Sequence, residues 1–373
     1  MQGLSGPLSG RFYKILLVGL LALSGFACRN GSVSAPPAAE PGFSYREPYP
    51  WPLSTPAAQG MDTAKVAAGL QQIKTNSFIY SFLVVKNDSL VVEYYVGSYQ
   101  KDNDFEIFSA SKSFTSALIG IAIDKGIVRS AQDKILSFFA DFDTANIDPR
   151  KRDWTIEHFL TMRSGIDWDE SADHSTTFTS NANWMHAALG LPLKYAPGDE
   201  FIYTTPNANV LSGILTRVAA MSTYKFADAN LFGPLKISVR TWPTDPQGIY
   251  AGGTGMRFTP RDLARFGQLY LHDGFLDGQQ IVSRDWIRQS LVPRNPQNTT
   301  RGGFSAINYG YFWWADYEDQ DSLFMAAGFG GQAVYVDRGQ NMVIVTIANP
   351  DAPTRQGDIN ELNIIDILKK YFL

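Results

Sequence analysis

Apolar positions along this 373-residue chain follow two different rhythms. Ser81-Phe82-Leu83-Val84-Val85 and Leu90-Val91-Val92-Glu93-Tyr94-Tyr95-Val96 are rich in β-branched and aromatic residues, and predict two strands joined through Lys86-Asn87-Asp88-Ser89 as a hairpin. Near the other end, Gln332-Ala333-Val334-Tyr335-Val336 and Met342-Val343-Ile344-Val345-Thr346-Ile347 repeat the arrangement around Asp337-Arg338-Gly339-Gln340. Helical spacing governs Phe114, Ala117, Leu118, Ile121 and Ala122, up to a stop at Lys125-Gly126. The same spacing puts Leu362, Ile365, Leu368 and Tyr371 on one stripe of a terminal helix over 358–372, and a further helix is predicted over 62–74. Between 109 and about 242 the chain reads as helix and loop. Strands at both ends of a long helical insertion predict an α+β fold. It consists of an antiparallel sheet flanked by terminal helices with an inserted all-helical lobe, and its site lies in the cleft between them.

The pattern also sets the N-terminus apart. Arg11 and Lys14 precede an apolar run over 15–27 that is short for a bilayer span but suits an export signal, so residues 1–28 are expected to be a signal segment. Cys28, the only cysteine, falls where such a segment is cut. The site is similar to a bacterial lipoprotein signal, which implies lipid attachment at Cys28 and a periplasmic or cell-surface location. Gly25-Phe26-Ala27 lacks the leucine usual three positions before the cysteine, so cleavage and release is the alternative. Residues 29–56, rich in Pro, Ala, Ser and Gly, predict an extended tether, leaving 57–373 as the folded domain.

Composition narrows the function. Hydrophobic content of 45% and aromatic content of 13% suit one large composite domain. Lys+Arg 32 against Asp+Glu 36, a net charge of -4 and no basic run exclude an electrostatic footprint for nucleic acid. His158, His174, His186 and His272 are scattered without zinc-site spacing, and no serine carries the G-x-S-x-G elbow. No metal or organic cofactor is implied.

Chemistry gathers at three places. In Phe108-Ser109-Ala110-Ser111-Lys112, a hydroxyl and an amine stand three residues apart where a helix begins, a nucleophile with its base. The plain alternative is an N-cap serine with a solvated lysine. Tyr203, leading Thr204-Thr205-Pro206-Asn207 into an apolar helical run, is either structural or a proton shuttle beside a lysine. Ala326-Ala327-Gly328-Phe329-Gly330-Gly331-Gln332 is either a close-packed turn or a backbone that approaches substrate closely enough to offer an oxyanion donor. Tyr309, Tyr311, Phe312, Trp313 and Trp314 read as alternating aromatics of a core strand, with an acyl pocket as the alternative.

In this order, the three segments resemble the serine β-lactamase-like superfamily of class C β-lactamases, DD-peptidases and related esterases and amide hydrolases. Ser109-Ala110-Ser111-Lys112 is similar to its S-x-x-K, and Tyr203 to the tyrosine of its Y-x-N. Leu160-Thr161-Met162-Arg163-Ser164-Gly165 and Gly252-Gly253-Thr254-Gly255-Met256 through Phe266-Gly267 also resemble common family segments. The resemblance implies Ser109 as nucleophile, Lys112 and Tyr203 as proton carriers, and the N–H groups of Ser109 and Phe329 as oxyanion donors. Thr205, Asn207, Gly328, Gly331 and Gln332 are the implied substrate contacts. Thr205 stands where the family commonly has asparagine, and Ala326-Ala327-Gly328 where penicillin-recognising members have K-T-G. Loss of a charge-assisted contact there, about 1.5–3 kcal/mol, disfavours β-lactam and D-Ala-D-Ala recognition. The Gly328-Phe329-Gly330-Gly331-Gln332 run is similar to that of 6-aminohexanoate-dimer hydrolase and its esterase relatives. A small ester or amide is therefore the expected substrate. The alternatives are a cell-wall DD-peptidase or β-lactamase, and a non-catalytic ligand-binding protein of the same fold.

Overall fold

Asp62 starts the first helix, α1 (Thr63–Thr75), by accepting hydrogen bonds from the N–H groups of Ala64 and Lys65. The predicted hairpin follows as β1 (Ile79–Lys86) and β2 (Ser89–Tyr95). Its turn residues Asn87 and Asp88 both take positive φ, 47° and 61°, matching the twist of a two-residue hairpin. A short strand, β3 (Phe105–Glu106), leads to α2 (Ser111–Asp124) and the helical lobe, which includes α3 (Trp184–Gly190) and α4 (Thr205–Ala219). The chain returns through β4 (Arg257–Phe258), paired with β3, and α5 (Pro260–Leu271). It then adds β5 (Thr299–Arg301), β6 (Phe304–Tyr309), β7 (Trp314–Asp316), β8 (Leu323–Gly328), β9 (Gln332–Asp337) and β10 (Met342–Ala348), and ends in α6 (Ile359–Tyr371). This computed structural model describes residues 42–76, 78–173, 180–295, 299–301, 304–316, 323–351 and 359–373, all within one compact unit that begins at Pro37.

The sheet has eight strands in the order β2-β1-β10-β9-β8-β7-β6-β5. Its neighbours are antiparallel, and β1 lies beside β10 with Val85 opposite Val343 and Phe82 opposite Thr346. Those two pairs are an odd number of residues apart and therefore face opposite sides. On one side Val343 and Val334 meet α5 so closely that a Cβ at Gly267 would lie 2.6 Å from one and 2.7 Å from the other. On the other, Phe82 packs on Phe372, just past the end of α6, at 5.0 Å between ring centroids. Helices thus cover both faces, as the fold class expects, and the predicted terminal stripe is buried at Ile365 and Leu368. In the lobe, Phe114 of α2 stacks on Phe266 at 3.7 Å and on Phe258 at 4.8 Å, tying α2 to α5 and β4.

Two expectations need correction. The Pro-rich stretch predicted as tether to residue 56 does not behave as one over 43–54. Trp51 is buried, Leu90 N–H donates to the Pro52 carbonyl, Ser54 N–H donates to that of Leu90, and Arg46 pairs with Asp228 at 2.7 Å. Proline suits an extended segment, and here the aromatic anchors between the prolines pin that segment to the edge of β2. The aromatic cluster is also not one strand. Tyr309 ends β6 and Trp314 opens β7, with Phe312 at φ 61° in the turn between them. The signal segment, Cys28, the tether up to residue 41 and His174 lie outside the described residues. Among those described, no helix is long and apolar enough to cross a membrane, and no cluster of His, Cys, Asp or Glu could hold a metal ion.

Candidate active site

Ser109 sits in a single 3-10 turn (Phe108–Ala110) just ahead of α2, outside the helix that the spacing predicts. Phe108, at φ 46°, takes the left-handed conformation there, which costs a residue with a Cβ about 1–2 kcal/mol. The turn brings the hydroxyl to the Lys112 amine. Lys112 Nζ lies 2.9 Å from Ser109 Oγ, and only 1% of the lysine is exposed, which removes the solvated-lysine alternative.

A second partner fixes the amine, because Lys112 Nζ donates to the Gly253 carbonyl at 2.8 Å. The peptide just before that carbonyl is held in turn by Asn209 of α4, whose Oδ1 accepts from the Gly253 N–H at 3.1 Å, and by Thr115, whose hydroxyl donates to the Gly252 carbonyl at 2.7 Å. Gly252 must be glycine, since a Cβ there would lie 2.0 Å from the Ala208 carbonyl oxygen. A carbonyl can only accept, so it takes one N–H of the lysine and leaves the rest of the amine facing Ser109 and Tyr203.

Tyr203 presents its ring 4.9 Å from Lys112 Nζ. The ring stacks on Trp314 at an interplanar angle of 12° and meets Tyr309 edge-on. Two members of the aromatic cluster therefore flank the site as well as filling the core. The loop carrying Tyr203 is fixed from below, where Ile202 N–H donates to the Met162 carbonyl at 2.9 Å. Glu170 accepts from the backbone N–H of Thr205 at 3.0 Å, from its hydroxyl, and from Trp168 Nε1 at 2.7 Å. A carboxylate at the start of α4 complements the helix dipole.

Residues 328–332 bring the sheet to the turn that carries Ser109. A Cβ on Gly328 would lie 2.1 Å from the Ile107 carbonyl oxygen, so glycine lets the end of β8 close against the turn that holds Ser109. Phe329 follows, and its ring meets that of Phe108 at 5.8 Å. Burial pushes the carboxyl of nearby Glu106 up, opposed by Arg257.

Ser109, Lys112, Tyr203, Gly328 and Phe329 thus come together. The other implied substrate contacts are committed elsewhere. The Thr205 hydroxyl serves Glu170, and Asn207 is buried with its Nδ2 3.5 Å from the Phe159 carbonyl. Gln332 spends both ends of its amide on the backbone of Ala348, at 2.7 and 3.0 Å, and Gly331 offers its carbonyl to the Thr346 hydroxyl. These residues brace the site from inside. Sequence reasoning assigned no role to Phe108, Glu170, Asn209 or Gly253. Phe108 and Gly253 lie in segments already singled out, whereas Glu170 and Asn209 become visible only when α4 and the loops meet.

The family model described as Beta-lactamase matches residues 68–369. Among curated proteins, the 6-aminohexanoate-dimer hydrolase of Paenarthrobacter ureafaciens is 27% identical over 300 residues, covering 74% of each chain. Among solved structures, EstCE1, a hydrolase with promiscuous acyltransferase activity, superposes with a TM-score of 0.65 at 14% identity, over 84% of this chain and 99% of that one. A penicillin-binding protein homologue from Caulobacter crescentus gives a TM-score of 0.64 at 15% identity, over 82% and 97% respectively.

Proposed function

The chain belongs to the beta-lactamase family and is a serine hydrolase of that fold, and on that premise we propose that it cleaves a small ester or amide through an acyl-enzyme formed on Ser109. One observation carries the reading: a buried lysine amine 2.9 Å from the serine hydroxyl, with a carbonyl anchoring it from behind. In this reaction Ser109 Oγ attacks the substrate carbonyl carbon, and its proton passes to Lys112 and Tyr203. The N–H groups of Ser109 and Phe329 hold the oxyanion. Collapse breaks the bond to the leaving alcohol or amine, which takes up the proton from the Tyr203 side. Water, deprotonated by the same pair, then attacks the acyl-serine and releases the acid. The kinship with an amide hydrolase supports the reading. So does Ala326-Ala327-Gly328 on β8, which offers no lysine to a penicillin carboxylate.

Intact-mass spectrometry after incubation with a fluorophosphonate, a short-chain p-nitrophenyl ester or a penicillin tests the proposal. A single phosphonate adduct and ester turnover are expected, both lost in Ser109→Ala with kcat down at least about a thousandfold. Turnover retained in Ser109→Ala would sink the assignment. A lasting penicillin adduct would move the substrate to the cell-wall class, and no adduct with any probe would favour a binding role.

We propose further that the chain is exported and lipid-anchored at Cys28, on the charge, apolar run and lone cysteine of residues 1–28. Labelled palmitate should enter the wild type and not Cys28→Ser; equal absence of label in both would leave cleavage and release as the answer.

A further inference from the structure

Phe108 is an aromatic residue in a backbone conformation that suits glycine, at φ 46°, immediately before the nucleophile. Such strain persists where the side chain serves the site. Its ring is half-buried and meets Phe329, a residue that is 54% exposed. The turn that carries Phe329 is braced from inside, with Gly328 closed on Ile107 and Gln332 tied to Ala348. An exposed phenylalanine on a braced turn is held out for contact, and the neighbouring groups are the two proposed oxyanion donors.

Resting on the Ser109 acyl-enzyme reading, we infer that Phe108 and Phe329 form a clamp for an apolar acyl group, making the preferred substrates esters or amides of medium-chain or aromatic acids. The direction follows from the chemistry. A carbonyl whose oxygen is held by the N–H groups of Ser109 and Phe329 must send its leaving group toward Tyr203, the proton source. The acyl substituent then lies against the two rings, which offer it apolar surface removed from water. Phe108 and Phe329 are thus specificity-determining residues, and a ratio between two substrates cancels whatever their replacement does to the shared backbone oxyanion contact.

The test is the ratio of kcat/KM for p-nitrophenyl hexanoate to that for p-nitrophenyl acetate, measured with wild type, Phe329→Ala, Phe108→Gly and Ser109→Ala. Wild type should favour the hexanoate, and each Phe variant should lower the ratio about tenfold, the scale of discrimination by an apolar pocket. Phe108→Gly should do so with a melting temperature equal to or above that of wild type, a split that loss of a structural core residue cannot produce. If Phe329→Ala fails to fold, Phe329→Leu replaces it; if Phe108→Gly does, Phe108→Asn, which tolerates the same backbone, replaces it. A ratio unchanged within twofold in both folded variants, with turnover still lost in Ser109→Ala, overturns the clamp and leaves the nucleophile intact. Hydrolysis of both esters by Ser109→Ala overturns the parent reading and the clamp with it.

Discussion

Asn209 lies far from Ser109 in sequence, yet it holds the residue whose carbonyl receives the Lys112 amine. Its Oδ1 holds the Gly253 N–H, and the carbonyl of that same residue receives Lys112. Asn209→Leu keeps the bulk and removes the acceptor. It is expected to lower kcat about tenfold while KM stays within twofold, because the loss falls on alignment of the base and not on substrate binding. Steady-state kinetics on an activated ester reads both constants; an unchanged kcat would show that Gly253 holds its place without help. The residue scale is also where sequence reasoning was least complete. Ser109, Lys112 and Tyr203 sit in short motifs whose spacing announces chemistry, whereas Thr205, Asn207 and Gln332 have the same polar character but point into the protein. Composition cannot distinguish an amide that faces substrate from one that braces a turn.

At the scale of elements, hairpins and terminal helices were legible because each satisfies a local rule. Asn87-Asp88 accepts the positive φ of a tight turn, and the stripe of α6 needs a sheet face. Contacts between elements were not, since they depend on how closely backbones approach. Gly252 against Ala208 is the clearest case. Gly252→Ala should push the 252–256 loop off α4 and destabilise the protein by about 1–3 kcal/mol. A urea midpoint that falls together with kcat would show that the loop carries both packing and the lysine anchor. Glu170 acts at the same scale, since it caps α4 through Thr205 two residues beyond Tyr203. The aromatic cluster was misread for a related reason: periodicity shows that the residues are buried, not that the chain reverses at Phe312.

For the whole molecule, two charge and packing features set stability. Asp262, in the first turn of α5, is 4% exposed, and burial pushes its carboxyl up to about 6. Its folded value therefore lies above that of an unfolded aspartate near 3.9. Between those two values the folded state binds more protons, so stability is highest below about pH 4 on this account and falls as pH rises through 6, by about 3 kcal/mol. Asp262→Asn should flatten that decline in melting temperature between pH 4 and 7, and an unchanged slope would place the titration elsewhere. The second feature is the docked stretch over 43–54. Trp51→Ala should cost about 3–5 kcal/mol, the range for emptying a buried aromatic site. A chain starting at residue 57 should be destabilised likewise, and an unaltered denaturation midpoint would make the stretch a dispensable leader.

The pairing of β1 with β10 joins residues from opposite ends of the chain, Ile79 opposite Ala348. Long-range closure of this kind is slow, because the entropy of bringing the ends together is lost before any contact rewards it. Phe329 and the glycine beside Ile107 reach the Ser109 turn only once that closure is made. A chain emerging N-terminus first would carry Ser109 and Lys112 early, but Gly328 could close on Ile107 only after the last strands arrive. On the acyl-enzyme proposal, reactivity is expected only once the last strands have paired, so a prematurely ended polypeptide should carry an inert serine.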